Sequence, residues 1–124
     1  MMPYERLDAW RLCHELTLAT YHVTAHFPDD ERYGLTAQAR RAAFSAGANI
    51  VEGSAKHGVR EYRRFLDIAV GSLSELSYIF RLSIDLGYLS RDEAARIAEL
   101  RERAAIVTWK LYRSLGTRPE KPAP

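Results

Sequence analysis

Cysteine is almost absent from this chain: Cys13 is the single thiol in 124 residues, so no internal disulfide forms and the fold must rest on noncovalent packing. A lone thiol fits a reducing compartment, and the start Met1-Met2-Pro3-Tyr4-Glu5-Arg6 lacks the pattern of a secretion signal, so a cytoplasmic protein is expected. No apolar run approaches the roughly 20 residues that a membrane-spanning helix needs, which removes the membrane from the expected partners. Sustained two-residue alternation, the mark of strands, is also missing. The glycines are few and scattered. Gly47, Gly53, Gly58 and Gly71 form neither a Walker nor a dinucleotide pattern, so no phosphate-cradling loop is present. What remains, 47% hydrophobic and 27% charged, excludes disordered, collagen-like and disulfide-scaffold classes and describes one globular domain.

Glycine and proline divide the chain into four stretches with apolar residues at helical spacing. The first spans about Leu7 to His26, with Ala9, Leu12, Leu16, Ala19 and Val23 on one stripe, and Phe27-Pro28 ends it because the residue before proline leaves the α region. The second, about Leu35 to Ala55, carries a stripe of mostly small residues: Leu35, Ala39, Ala42, Ala46, Ile50 and Gly53. Small side chains let a neighbouring backbone come close, so the tightest packing is expected there. The third, about Val59 to Leu86, aligns Phe65, Ala69, Leu73, Leu76 and Phe80, and Gly87 follows as a left-handed cap. Ser90-Arg91-Asp92-Glu93 reads as a capping box opening the fourth, in which Ile97, Leu100, Ala104, Val107, Leu111 and Leu115 keep the rhythm. Asp92 with Arg96 and Glu99 with Arg103 have the spacing of surface ion pairs. Gly116 stops this helix, and residues 117–124, with three prolines in eight positions, are expected to form a disordered tail. The expected fold is all-α, an antiparallel up-down-up-down four-helix bundle over residues 1–116.

Charge is unevenly spread. Residues 34–64 hold Arg40, Arg41, Lys56, Arg60, Arg63 and Arg64 against only Glu52 and Glu61, an excess of +4 in a chain whose net charge is +2. Lys56 and the run Arg60-Glu61-Tyr62-Arg63-Arg64-Phe65 interleave cations with aromatics at the start of the third helix. Arg60, Arg63 and Arg64 share one side, the arrangement of an edge that grips phosphates while Tyr62 stacks on a base.

No catalytic residues, metal ligands or cofactor emerge. His22 and His26 stand one helical turn apart, yet no Glu-x-x-His occurs to complete a di-metal site, and Glu52 is the one distant partner to consider. Cys13 and His14 diverge by about 100° around a helix and cannot form a nucleophile-base pair. Asn49 and Glu52 lie three apart on the small-residue helix, and buried polar groups require partners. Ser72 and Glu75 on the third helix, or Arg41 upstream, would supply them, so these five residues are expected to form a polar network fixing the register of the second and third helices.

Leu7-x-x-Trp10, Phe27-Pro28-x-x-Glu31-x-Tyr33-Gly34-Leu35-x-x-Gln38-x-Arg40-Arg41-Ala42, Asn49-Ile50-Val51-Glu52-Gly53 and Phe65-Leu66-x-x-Ala69-x-Gly71-Ser72-Leu73-x-Glu75-Leu76 occur in order over about residues 4–115. This pattern resembles the four-helix-bundle family named for proteins encoded in intervening sequences of bacterial 23S rRNA genes, also called S23 ribosomal proteins. The resemblance implies a ring of five subunits, and kinship with the basic accessory protein of diversity-generating retroelements, which binds nucleic acid and a reverse transcriptase. Phe44, Tyr62, Tyr78 and Ile79 fall off the apolar stripes, and burial between subunits would resolve their exposure. The expected function is a non-enzymatic homo-oligomeric binding module contacting RNA or DNA through its basic edge. The alternative is a scaffolding ring for another polypeptide.

Overall fold

The computed structural model describes residues 1–116, in which four long helices follow one another: α1 (Asp8–Thr24), α2 (Leu35–Ser54), α3 (Val59–Asp85) and α4 (Arg91–Gly116). Single 3-10 turns occupy Pro3–Arg6 and Asp29–Glu31. Among the described residues there is no strand. The connections are short, so consecutive helices run antiparallel. α1 packs against α2 and α4, α3 packs against the same two, and the backbones of neither diagonal pair come within 8 Å of each other. This is the up-down-up-down bundle that the periodicity predicts. The proline-rich tail expected over 117–124 lies outside the described residues.

The fully buried large side chains are Leu16 of α1, Ile50 of α2 and Leu66, Leu73 and Leu76 of α3. Around Ile50, α2 contributes Ala39, Ala42, Ala43, Ala46 and Gly53, all buried. Gly53 marks the closest approach of two helices. A Cβ there would sit 3.0 Å from Phe65 Cβ, 3.1 Å from Tyr62 Cδ1 and 3.3 Å from the Tyr62 carbonyl oxygen. The small-residue face of α2 thus does what its composition predicts and lets α3 press against it.

Several core positions are polar, which the apolar stripes do not anticipate. Thr20, Thr24 and Ser83 are buried, and each hydroxyl donates to the carbonyl four residues before it, Leu16, Thr20 and Ile79 respectively, at 2.7 Å. That bond satisfies the hydroxyl proton within its own helix, and the Thr24 oxygen in addition accepts from Arg40 Nε of α2. Cys13 is buried likewise, its Sγ 3.9 Å from Thr108 Oγ1 of α4. Ile79, expected off the stripe, is also inside, because α3 buries a wider arc where α2 lies against it. Phe65 is only half-buried, and Leu66 takes the central place at that level.

The helix ends follow their capping residues. Gly87 adopts φ 80°, its N–H donates to Ile84 O at 3.0 Å, and Tyr88 N–H reaches Ser83 O at 2.9 Å, a Schellman closure of α3. Ser90 Oγ then accepts from Glu93 N–H at 3.1 Å while Glu93 Oε1 accepts from Ser90 N–H at 3.2 Å, the reciprocal box predicted for α4. The backbone bond from Ser90 holds the Glu93 carboxyl below the usual range. Glu31 acts as a clamp that its place in the sequence does not mark. Its Oε1 accepts the Leu35 N–H at 3.2 Å and its Oε2 accepts the Tyr88 hydroxyl at 3.0 Å, tying the start of α2 to the α3–α4 turn. The expected pairs of Asp92 with Arg96 and Glu99 with Arg103 do not close; among the described residues the pairs that form are Asp8–Arg11, Glu61–Arg64, Arg41–Glu75 and Arg81–Asp85. Exposed pairs gain little in water, so spacing alone does not determine which of them form.

Two glycines give opposite expectations. Gly53→Ala should lower stability by about 1–3 kcal/mol, because the crowding by Phe65 and the Tyr62 carbonyl outweighs the helix-propensity gain. Gly71→Ala, on α3 with nothing within 4 Å of the new Cβ, should raise it by about 0.5–1 kcal/mol. Urea unfolding of both variants reads the difference. A further expectation concerns Cys13, whose thiol is pushed up from 9.0 to about 11, mainly by burial and against a smaller lowering effect of the Thr108 hydroxyl. Raising an acid's folded value favours the neutral form, so the contribution to stability is complete below about pH 9 and is lost as pH climbs towards about 11. The stability difference between wild type and Cys13→Ala should therefore shift against the wild type over that interval. Iodoacetamide should label the native thiol at pH 8 far more slowly than in urea.

Candidate nucleic-acid interface

The α2–α3 turn and the first turns of α3 bring Lys56, Arg60, Arg63 and Arg64 to one end of the bundle. Because Tyr62 and Phe65 are pressed against Gly53, the intervening arginines are turned away from α2. Beside them, where α3 begins and α4 ends, lies a shallow cleft of about 540 Å³ lined by Arg60, Glu61, Arg63, Arg64, Asp67 and Tyr112.

The four cations are held differently. Arg63 is half-buried, with its guanidinium carbon 4.3 Å from the centroid of the Tyr112 ring. It packs against Gly116, where an added Cβ would lie 3.2 Å from Nη2, so the cation sits at the negative end of the α4 dipole. Among the described residues its buried Nε has no hydrogen-bond partner and no carboxylate pairs with it. Arg64 is engaged by Glu61 through two bonds, Nε to Oε1 at 3.2 Å and Nη2 to Oε2 at 3.3 Å, and lies over the Phe65 ring at 4.5 Å. The hydrogen bond from Arg64 holds the Glu61 carboxyl below the usual range. Lys56 Nζ stands 5.3 Å from the Phe65 ring centroid. Arg60 is exposed and has no ion pair among the described residues.

Tyr62, the stacking residue expected from the sequence, is half-buried and packs against Gly53. The aromatic surface beside the cleft comes instead from α4. Trp109 stacks on Tyr112 with centroids 5.3 Å apart and planes 18° apart. The signal was in the chain: Trp109-x-x-Tyr112 sits off the Val107, Leu111, Leu115 stripe at a spacing that aligns the two rings on one side of a helix.

The expected polar network is divided by the structure. Ser72 Oγ donates to Ser45 Oγ at 2.9 Å, and Asn49 Nδ2 donates to Ser45 O at 2.8 Å and Ser45 Oγ at 3.0 Å. Ser45, unremarked in the sequence, is therefore the hub between α2 and α3. Arg41 reaches Gln38 and stands 3.9 Å from Glu75 on the surface. Glu52 is not part of the network: it is exposed, and among the described residues its carboxylate makes no hydrogen bond or ion pair, because α2 turns this position away from α3. Arg40 is held by α1, stacked 4.6 Å over Tyr21 with Nε donating to Thr24 Oγ1 at 3.0 Å.

His22 and His26 line a groove between α1 and α4 with Glu93 and Arg96, at the end of the bundle opposite Glu52. Among the described residues, no three His, Cys, Asp or Glu side chains converge as a metal ion would require. No helix there is long and apolar enough to cross a membrane.

Comparison with known proteins adds the relationship. A solved structure of a protein with unknown function from the S23 ribosomal protein family of Bacteroides thetaiotaomicron matches with a TM-score of 0.79 at 18% identity, covering 85% of this chain and 98% of that one. At that identity the likeness is one of fold. No curated protein matches. The family model described as 23S rRNA-intervening sequence protein matches residues 5–108, and the chain belongs to that family.

Proposed function

We propose that the protein is a non-enzymatic homo-oligomeric binding module that holds RNA or DNA along the basic end of its bundle. One observation carries this reading: Arg60 and Arg63 line one cleft, Lys56 lies near it through the field it shares with Arg60 at Glu61, and among the described residues none of the three has a carboxylate within ion-pair distance. Aromatic faces hold two of these cations in place without cancelling their charge. Self-association is supported by Phe44 and Tyr78, which are 64% and 68% exposed and lie on different helices. In the ring of five implied by the family resemblance, each subunit repeats the same cationic end. A modest charge per chain then becomes a multivalent one.

Light scattering coupled to gel filtration should give a mass above two chains at micromolar concentration, and a mass of one or two chains defeats the oligomer. Filter retention of total RNA and of DNA tests binding. If about four phosphates are neutralised, raising salt from about 50 to about 200 mM should weaken retention about 100-fold. The double variant Lys56→Glu, Arg60→Glu should lose most retention at unchanged helicity, because both side chains are exposed. Arg63 is a poorer target, since reversing a half-buried charge beside Tyr112 also disturbs packing. Absence of retention at low salt would leave the scaffolding of another polypeptide as the better reading.

A further inference from the structure

We infer that Trp109, supplied by α4, is a base-stacking residue of this interface, and that the ligand it fits is a single-stranded nucleic acid whose unstacked base lies on the indole while its phosphate meets Arg60 and Arg63. The inference rests on the proposed nucleic-acid reading and narrows it. Trp109 is 47% exposed, although it is one of the largest apolar side chains in the chain. It is fixed by its stack on Tyr112, and Tyr112 in turn carries the Arg63 guanidinium. An aromatic surface and a cation without a carboxylate partner are thereby joined through one shared ring.

Other exposed aromatics lack this combination. Tyr21 lies beneath Arg40, whose Nε is already bonded to Thr24. Among the described residues no cation is stacked on Tyr33, Phe44 or Tyr78. The cleft beside Tyr112 holds three guanidiniums against the carboxylates of Glu61 and Asp67, an excess of one positive charge that suits one phosphate. A rigid ring pre-placed beside such a charge matches the repeat of a single strand, one base face to one phosphate. In a duplex the base faces are already covered by their neighbours, so the indole has nothing to stack on.

The test uses the full chain in a Trp10→Phe background, so that Trp109 is the only tryptophan. A 12-nucleotide oligoadenylate is titrated as RNA and as DNA, with the corresponding duplexes as comparators. Single strands should quench the Trp109 emission and duplexes should leave it nearly unchanged. Trp109→Ala should weaken single-strand binding about 5- to 100-fold, with the salt slope kept, and Trp109→Phe should restore most of it. Loss for either strand supports stacking and identifies the sugar preferred. Undiminished binding by Trp109→Ala overturns the inference while leaving the phosphate-binding reading intact. A fall in oligomer mass for Trp109→Ala also overturns it, because the indole would then be an intersubunit contact. Failure of the unsubstituted protein to bind any strand at low salt defeats the nucleic-acid reading itself and the stacking role with it.

Discussion

The close approach of α2 to α3 is the constraint on which the rest of this bundle depends. It is possible because α2 offers Ala39, Ala42, Ala46 and Gly53 along the face that also carries Ile50, so that at Gly53 no side chain separates the two backbones. At Gly53 the space is already filled by Phe65 and the Tyr62 backbone. With α3 held this tightly, the hydroxyls of Ser45 and Ser72 meet directly, and one hydrogen bond fixes their relative height. Such a bond contributes roughly 1 kcal/mol in net terms, and breaking it on one side costs more because a partly buried hydroxyl loses its partner.

The same approach decides which way the basic end faces. Pressing Tyr62 and Phe65 inward leaves Arg60, Arg63 and Arg64 on the far side of α3, towards the end of α4. There the arginines meet rings more often than carboxylates. Arg63 lies on Tyr112 and Arg64 on Phe65, and only Arg64 is also bonded to an acid. Cation–π contacts of this kind are worth about 0.5–1 kcal/mol when exposed and orient a guanidinium without neutralising it. Arg40 obeys the same rule on the other side of the bundle, where Tyr21 and Thr24 hold it against α1. Arg63 and Arg40 are thus ordered while no carboxylate among the described residues pairs with either.

At the opposite end, order comes from capping. Glu31 spans the start of α2 and the α3–α4 turn, and the Phe27 ring lies 5.4 Å from Tyr88 beside it. The hydrogen bond to Glu31 raises the Tyr88 hydroxyl above its ordinary value, since ionising the phenol would set two negative charges against each other. The Glu31-x-Tyr33-Gly34-Leu35 segment that carries part of the family pattern therefore has a structural use. It ties the connection between α1 and α2 to the α3–α4 turn.

The sequence by itself determined the four helices, their antiparallel order, the small-residue face of α2, the glycine closure at Gly87 and the box of Ser90 with Glu93. Each of these depends on residues within about one helical turn of one another, where period and capping chemistry act directly. The tertiary structure alone decided that Ser45 rather than Glu52 would join α2 to α3, that Ile79 would turn inward, and that α4 would bring Trp109 and Tyr112 to the basic edge in place of Tyr62. Those outcomes depend on how far each helix rotates about its axis and how high it sits against its neighbours. Amphipathic spacing marks a face about 100° wide and does not specify the rotation within it. Thr20, Thr24 and Ser83 widen the ambiguity, because a hydroxyl that can bond to its own helix is equally at home inside or out.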